Sequence, residues 1–104
     1  MAFVLEERTR SSLETICRKY AVRRIKVFGS ALREDFNEES SDLDLLVEFD
    51  DPPSGMRPAT QFFGLHEELQ NLFMRGVDLL EESAIENVRL KQNALAGAVT
   101  LYAS

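Results

Sequence analysis

Asp42 and Asp44 are the residues whose chemistry stands out first. They open the run Asp42-Leu43-Asp44-Leu45-Leu46-Val47-Glu48-Phe49. Strand side chains alternate, so residues two apart share a face. Asp42 and Asp44 therefore project to one side. Leu43, Leu45, Val47 and Phe49 project to the other, where a core can receive them. Two carboxylates this close repel each other, and one should hold its proton unless a cation intervenes. Mg²⁺ answers this well, because it prefers oxygen and binds through one or two carboxylates plus substrate phosphates. Two such ions about 3.5–4 Å apart can steady both the attacking and the leaving oxygen of an in-line displacement.

A second group lies upstream, in Val27-Phe28-Gly29-Ser30-Ala31-Leu32-Arg33. Gly29 lacks a Cβ, so its backbone can approach a ligand closely. Successive N–H groups at a strand-to-helix turn form a nest for anions. The Ser30 hydroxyl can donate to a phosphate oxygen, and the Arg33 fork suits phosphate one turn further on. Each piece also has an ordinary reading: a Gly-Ser turn, a strand emerging from solvent at Asp-x-Asp, a solvated arginine. The combination of strand, Gly-Ser, polar connection and a second strand opening on Asp-x-Asp is hard to obtain by accident. It points to phosphate, divalent metal and nucleotide chemistry.

The elements that must position these residues read as follows. An apolar stripe at Leu13, Ile16, Cys17 and Tyr20 marks a first helix, with Ser11-x-x-Glu14 as a candidate capping box or a start nearer Leu5. Residues 22–28 form a first strand, 30–35 a short helix or turn, and 43–49 a second strand that ends in Asp50-Asp51-Pro52-Pro53-Ser54-Gly55. Phe62, Phe63, Leu65, His66, Leu69, Leu72 and Phe73 recur at helical spacing, which predicts an amphipathic helix over 59–74 stopped by Gly76. Phe62, Phe63 and Phe73 read as core, with any surplus of that face left for a partner, and His66 reads as a packed or surface histidine. A third strand covers 77–80. Ser83-x-x-Glu86 opens a last helix to about Ala96, ended by Gly97, and Val99–Tyr102 adds a short strand or helical turn. The fold class is α/β in the broad sense (α+β): a small mixed β-sheet with helices packed on one face.

This arrangement resembles the nucleotidyltransferase superfamily that includes DNA polymerase beta. It is most similar to the minimal nucleotidyltransferases, short proteins often paired as antitoxins with a HEPN-domain partner. The likeness runs from about Val22 to Tyr102, through Val-Arg-Arg-Ile-Lys-Val-Phe-Gly-Ser-Ala-Leu-Arg-Glu-Asp-Phe and then Ser-Asp-Leu-Asp-Leu-Leu-Val-Glu-Phe. Arg75-Gly76-Val77-Asp78-Leu79-Leu80 is similar to the family's third motif, although taken alone Asp78 is equally a polar residue on a strand face. The resemblance implies that Gly29, Ser30 and Arg33 hold the triphosphate and that Asp42 and Asp44 hold the metal. It gives Asp78 the role of third acid, a base or ligand near the acceptor hydroxyl. It also implies ATP as substrate, one or two Mg²⁺ ions, and AMP transfer to a tyrosine of a HEPN toxin. Two departures stand out: the spacer from Ser30 to Asp42 has eleven residues where the family commonly has ten, and Glu34 stands where many relatives carry Gly.

Composition narrows the field. A chain of 104 residues reads as one domain, 1–104, without room for a second domain to hold a base or an acceptor strand. The formal net charge is −6 and the cations are scattered. A tight independent grip on DNA or RNA is disfavoured, since nucleic-acid binders show a basic patch or stripe. A single Cys and a single His are too few for a zinc site. A lone cysteine fits a reducing cytoplasm. No stretch reaches the roughly 18 apolar residues of a membrane span, and Glu6, Glu7 and Arg8 arrive too early for a signal peptide. A calcium loop from Asp35 fails, with Ser40 and Leu46 where Gly and Glu are required. Two alternatives to an adenylylating antitoxin stay open: an antitoxin acting by binding alone, and nucleotide transfer to a small molecule such as an antibiotic. Homo- or hetero-oligomers fit any of these readings.

Overall fold

The computed structural model describes residues 5–29, 42–85, 89, 92 and 97–104. Helix α1 (Glu7–Lys19) leads into β1 (Val22–Phe28), β2 (Leu43–Phe49), helix α2 (Pro58–Phe73), β3 (Val77–Glu81) and β4 (Val99–Ala103). A single 3₁₀ turn, Glu82–Ala84, follows β3. The strands form one mixed sheet in the order β3-β2-β1-β4. β1 is antiparallel to β2 and β4, whereas β2 and β3 run parallel because α2 carries the chain back between them.

The apolar alternation of β2 does what it predicts: Leu43, Leu45 and Val47 are fully buried on the helix side. They meet Ile25 and Val27 of β1, Val77 and Leu79 of β3 and Leu101 of β4. Leu13 and Cys17 of α1 and Leu65 and Leu69 of α2 close that core. Leu46, on the opposite face, is also buried, which simple alternation does not foresee. Burial pushes the Cys17 thiol up to about 12, with the Glu14 carboxylate adding to the effect, so it packs as a neutral small hydrophobe.

Several boundaries correct the sequence reading. α1 begins at Glu7 with Glu6 as its N-cap, so Ser11 sits inside the helix and forms no capping box. Its backbone carbonyl instead accepts a bond from the Thr15 hydroxyl. α2 ends at Phe73, where Met74 takes the left-handed conformation (φ 54°), so the helix has stopped before Gly76 is reached. Phe63 is 66% exposed and is not core, while Phe62 and Phe73 pack against the core. Ser83 lies within the 3₁₀ turn, and its hydroxyl donates to Glu81. The expected turn over 30–35 and most of the expected last helix lie outside the described residues.

Two polar clusters lock the helices to each other and to the end of the sheet. Gln61, 4% exposed, donates from its amide to the carbonyls of Tyr20 (2.8 Å) and Asp50 (3.1 Å). One side chain thus ties α2 to the ends of α1 and β2. The Tyr20 hydroxyl donates to the Glu68 carboxylate, which also pairs with Lys19 at 3.0 Å. That hydroxyl bond holds Glu68 below the ordinary carboxylate range and raises Tyr20 above the ordinary phenol. The Tyr20 ring packs so tightly over Gly64 that a Cβ there would come within 2.7 Å of it. No described helix is long and apolar enough to cross a membrane.

Candidate active site

The mixed sheet decides where the acids stand. β2 begins one residue after Asp42, and its parallel partner β3 matches Leu43 to Val77 and Asp44 to Asp78. Matched residues on neighbouring strands point to the same face, with the strands about 4.8 Å apart. Asp44 and Asp78 therefore stand side by side on the face away from α1 and α2. Across the antiparallel ladder, Phe28 matches Asp44 and brings the end of β1 to the same place. Asp42 precedes Asp44 by two residues, roughly two strand rises of about 3.3 Å.

Two glycines give the acids of β2 their room. Gly29 has φ 70°, a conformation natural to glycine, and a Cβ there would lie 2.5 Å from Asp44 Oδ2. The Asp44 carboxylate thus lies against the open side of Gly29. Gly76 plays the matching part for Asp42, since a Cβ there would lie 2.5 Å from Asp42 Oδ1 and 3.0 Å from its Cγ. Sequence reasoning missed this role. The available signal was the spacing: Gly76 precedes Asp78 by two residues and so shares its face. Ser30 and Arg33 lie outside the described residues.

The acids differ in exposure. Asp42 and Asp78 are exposed, and Asp44 is half-buried. Lys26 lies on the same face, two matched pairs along from Phe28 and Asp44. At the other end of β1 and β2, Arg23 pairs with Glu48 (3.2 Å) and Asp50 (2.6 Å), and Arg24 with Glu48 (3.6 Å). Those exposed pairs tie the two strands together far from the acids.

Among the described residues, no three His, Cys, Asp or Glu side chains are gathered closely enough to cage a metal ion. The donor chemistry nevertheless fits Mg²⁺. That ion takes hard oxygen ligands and binds through one or two carboxylates, with waters and substrate phosphates completing its shell. Asp42 and Asp44 can supply those carboxylates without a preformed cage.

A family model described as "Nucleotidyltransferase domain" matches residues 10–101. The chain belongs to that family. A relative from Methanocaldococcus jannaschii named "Putative protein adenylyltransferase MJ0128" is 39% identical over 75 residues, covering 72% of this chain and 71% of its own. A solved structure described as a "putative minimal nucleotidyltransferase" is 32% identical and superposes with a TM-score of 0.64, covering 86% of each chain. A chain of the complex of tri-AMPylated Shewanella oneidensis HEPN toxin with MNT antitoxin shares the nucleotidyltransferase fold, with a TM-score of 0.62. It is 18% identical and covers 94% of this chain and 72% of that one.

Proposed function

We propose that this nucleotidyltransferase moves AMP from ATP to a protein hydroxyl, a tyrosine of a HEPN toxin partner, and acts as that toxin's antitoxin. The observation that carries the reading is the register of Asp44 beside Asp78, with Asp42 two residues ahead. The name of the M. jannaschii relative supports protein adenylylation. The AMP-bearing toxin in the S. oneidensis complex supports the partner class.

In this reading Asp42 and Asp44 hold one or two Mg²⁺ ions, which, when bound, offset the charge of the phosphates. Gly29 opens the turn toward the triphosphate, with Ser30 and Arg33 as further phosphate ligands. The acceptor hydroxyl oxygen bonds to the α-phosphorus, the bond from that phosphorus to the pyrophosphate bridge breaks, and pyrophosphate leaves. Asp78 takes the hydroxyl proton. The chain's contribution is mostly orientation and electrostatic placement.

The test incubates the protein with Mg²⁺, labelled ATP and a HEPN-domain partner, followed by mass spectrometry of both chains. AMP on a tyrosine of the partner is the expected result, abolished by Asp42→Asn with Asp44→Asn in a protein that still folds. A stable complex without any mark would overturn the enzymatic reading in favour of an antitoxin that acts by binding.

A further inference from the structure

Asp78 sits on β3, a strand at the border of the sheet, and such strands hold their place by one ladder only. The other side of its first residue is nevertheless tied down. Gln70 Oε1 accepts the Val77 backbone N–H at 3.2 Å, and the Val77 carbonyl lies 2.6 Å from His66 Nε2. A carbonyl oxygen can only accept, so the imidazole donates, and its proton resides on Nε2. His66 and Gln70 are four residues apart on α2 and so share one helical face.

Peptide planarity turns these two bonds into a constraint on Asp78. The Val77 carbonyl and the Asp78 N–H belong to one rigid plane, so His66 holds the plane that bears the Asp78 Cα. The Gly76 carbonyl and the Val77 N–H belong to the preceding plane. Leu43 N–H donates to that Gly76 carbonyl at 3.0 Å from one side, while Gln70 holds the Val77 N–H from the other. That plane is clamped between β2 and α2, beside the glycine on which the Asp42 carboxylate rests. Gln70 also accepts at its own backbone carbonyl from Met74 and Arg75, which fixes the helix end that carries it.

We infer that His66 and Gln70 are positioning residues that set the placement of the Asp78 carboxylate through the backbone of Val77. The inference rests on the role given to Asp78 under the proposed function, and its test has one arm that does not depend on that role. Neither side chain touches the reacting atoms. Their effect is to keep β3 from sliding or tilting against β2 at the one residue pair where two acids stand abreast.

The first arm is amide hydrogen exchange on the folded protein. Gln70→Leu removes the acceptor and should raise exchange at Val77 by at least tenfold. His66→Phe removes the donor and should do the same at Asp78, with Leu45 and Leu79 unchanged in both. Unchanged exchange at Val77 and Asp78 would overturn the inference whether or not the protein transfers AMP.

The second arm is kinetic. Each variant should lower kcat tenfold to a hundredfold, the scale expected for misplacement of about 1 Å, with KM for ATP within twofold of the parent. His66→Gln and Gln70→Glu keep a donor and an acceptor and should restore most of the rate. In an Asp78→Asn background, His66→Phe should cost nothing further. A full additional loss there would mean that His66 acts through general stability and would refute its positioning role. If Asp78→Asn itself leaves transfer intact, the role assigned to Asp78 fails, and the exchange arm alone decides the clamp.

Discussion

Replacing Gly76 with alanine separates the placement of Asp42 from the stability of the fold. A Cβ at position 76 would meet Asp42 Oδ1 at 2.5 Å, Cγ at 3.0 Å and Oδ2 at 3.4 Å. Ordinary contact begins at 3.4 Å, so the carboxylate must retreat by about 0.9 Å. It is the tip of a side chain and can move, and Gly76 does not hold a positive φ, so the backbone has no objection to alanine. The expected stability change is small, within about 0.5 kcal/mol. The expected loss of transfer is large, since about 1 Å of misplacement costs on the order of 10²-fold. That ratio corresponds to about 2.7 kcal/mol of transition-state stabilisation. The assay pairs a thermal melt with initial rates of labelled AMP transfer across Mg²⁺ concentrations. A variant that melts with the parent and transfers at more than half its rate would refute the argument that Gly76 seats Asp42 for chemistry. A variant that unfolds would show instead that the contact is structural.

Gly29→Ala should differ in kind, because alanine at φ 70° adds about 1 kcal/mol of backbone strain to a 2.5 Å clash with Asp44. Both the melting temperature and the rate should fall, and a rate loss without a melting shift would contradict the strain. Tyr20→Phe should cost about 1–2 kcal/mol near neutral pH, since it removes a hydrogen bond to a charged group. Glu68 is held below its ordinary value, so its share of that stability is present above the unfolded pKa and disappears as pH falls through the folded one. Melting curves of parent and variant should therefore draw together below about pH 4, and a constant gap down to pH 2 would exclude the linkage. Cys17 should resist alkylation by iodoacetamide at pH 8 in the folded protein and react freely in denaturant, as mass spectrometry would show; fast labelling of the folded chain would contradict its burial.

The strands were legible because their signal is local. Residues 22–28 and 43–49 are short apolar, β-branched-rich runs with interspersed polar residues, and both strands fall where that pattern puts them. The acids of β2 were legible for the same reason. The placement of Asp78 beside the other acids was implied only by the family resemblance, since register between distant strands depends on how α2 spans the gap, and no local pattern states that. Helix ends misled where two signals competed. Gly76 looked like a stop, but Met74 had already taken the left-handed turn. Glycine at 76 serves a carboxylate that lies far away in sequence. His66 read as a packed or surface histidine, and Gln61 drew no notice, because their partners are backbone groups of other elements, which carry no side-chain signature. Phe63 was misplaced because successive helix positions diverge by about 100°, so Phe62 and Phe63 cannot both face one core.

The anchoring of Val77 has a consequence for self-association. A border strand normally offers a row of bare donors and acceptors on which a foreign strand can zip, the usual route to sticky oligomers and fibrils. Here the outward N–H and carbonyl of Val77 are already taken. A chain docking alongside at Val77 would first have to break both bonds. Exposed Leu80 and Met74 lie close by in sequence and would otherwise make this margin adhesive. The helix that steadies the strand thus also caps its first residue, and adds to the charges of Asp78 and Glu81 in guarding that margin against unwanted zipping.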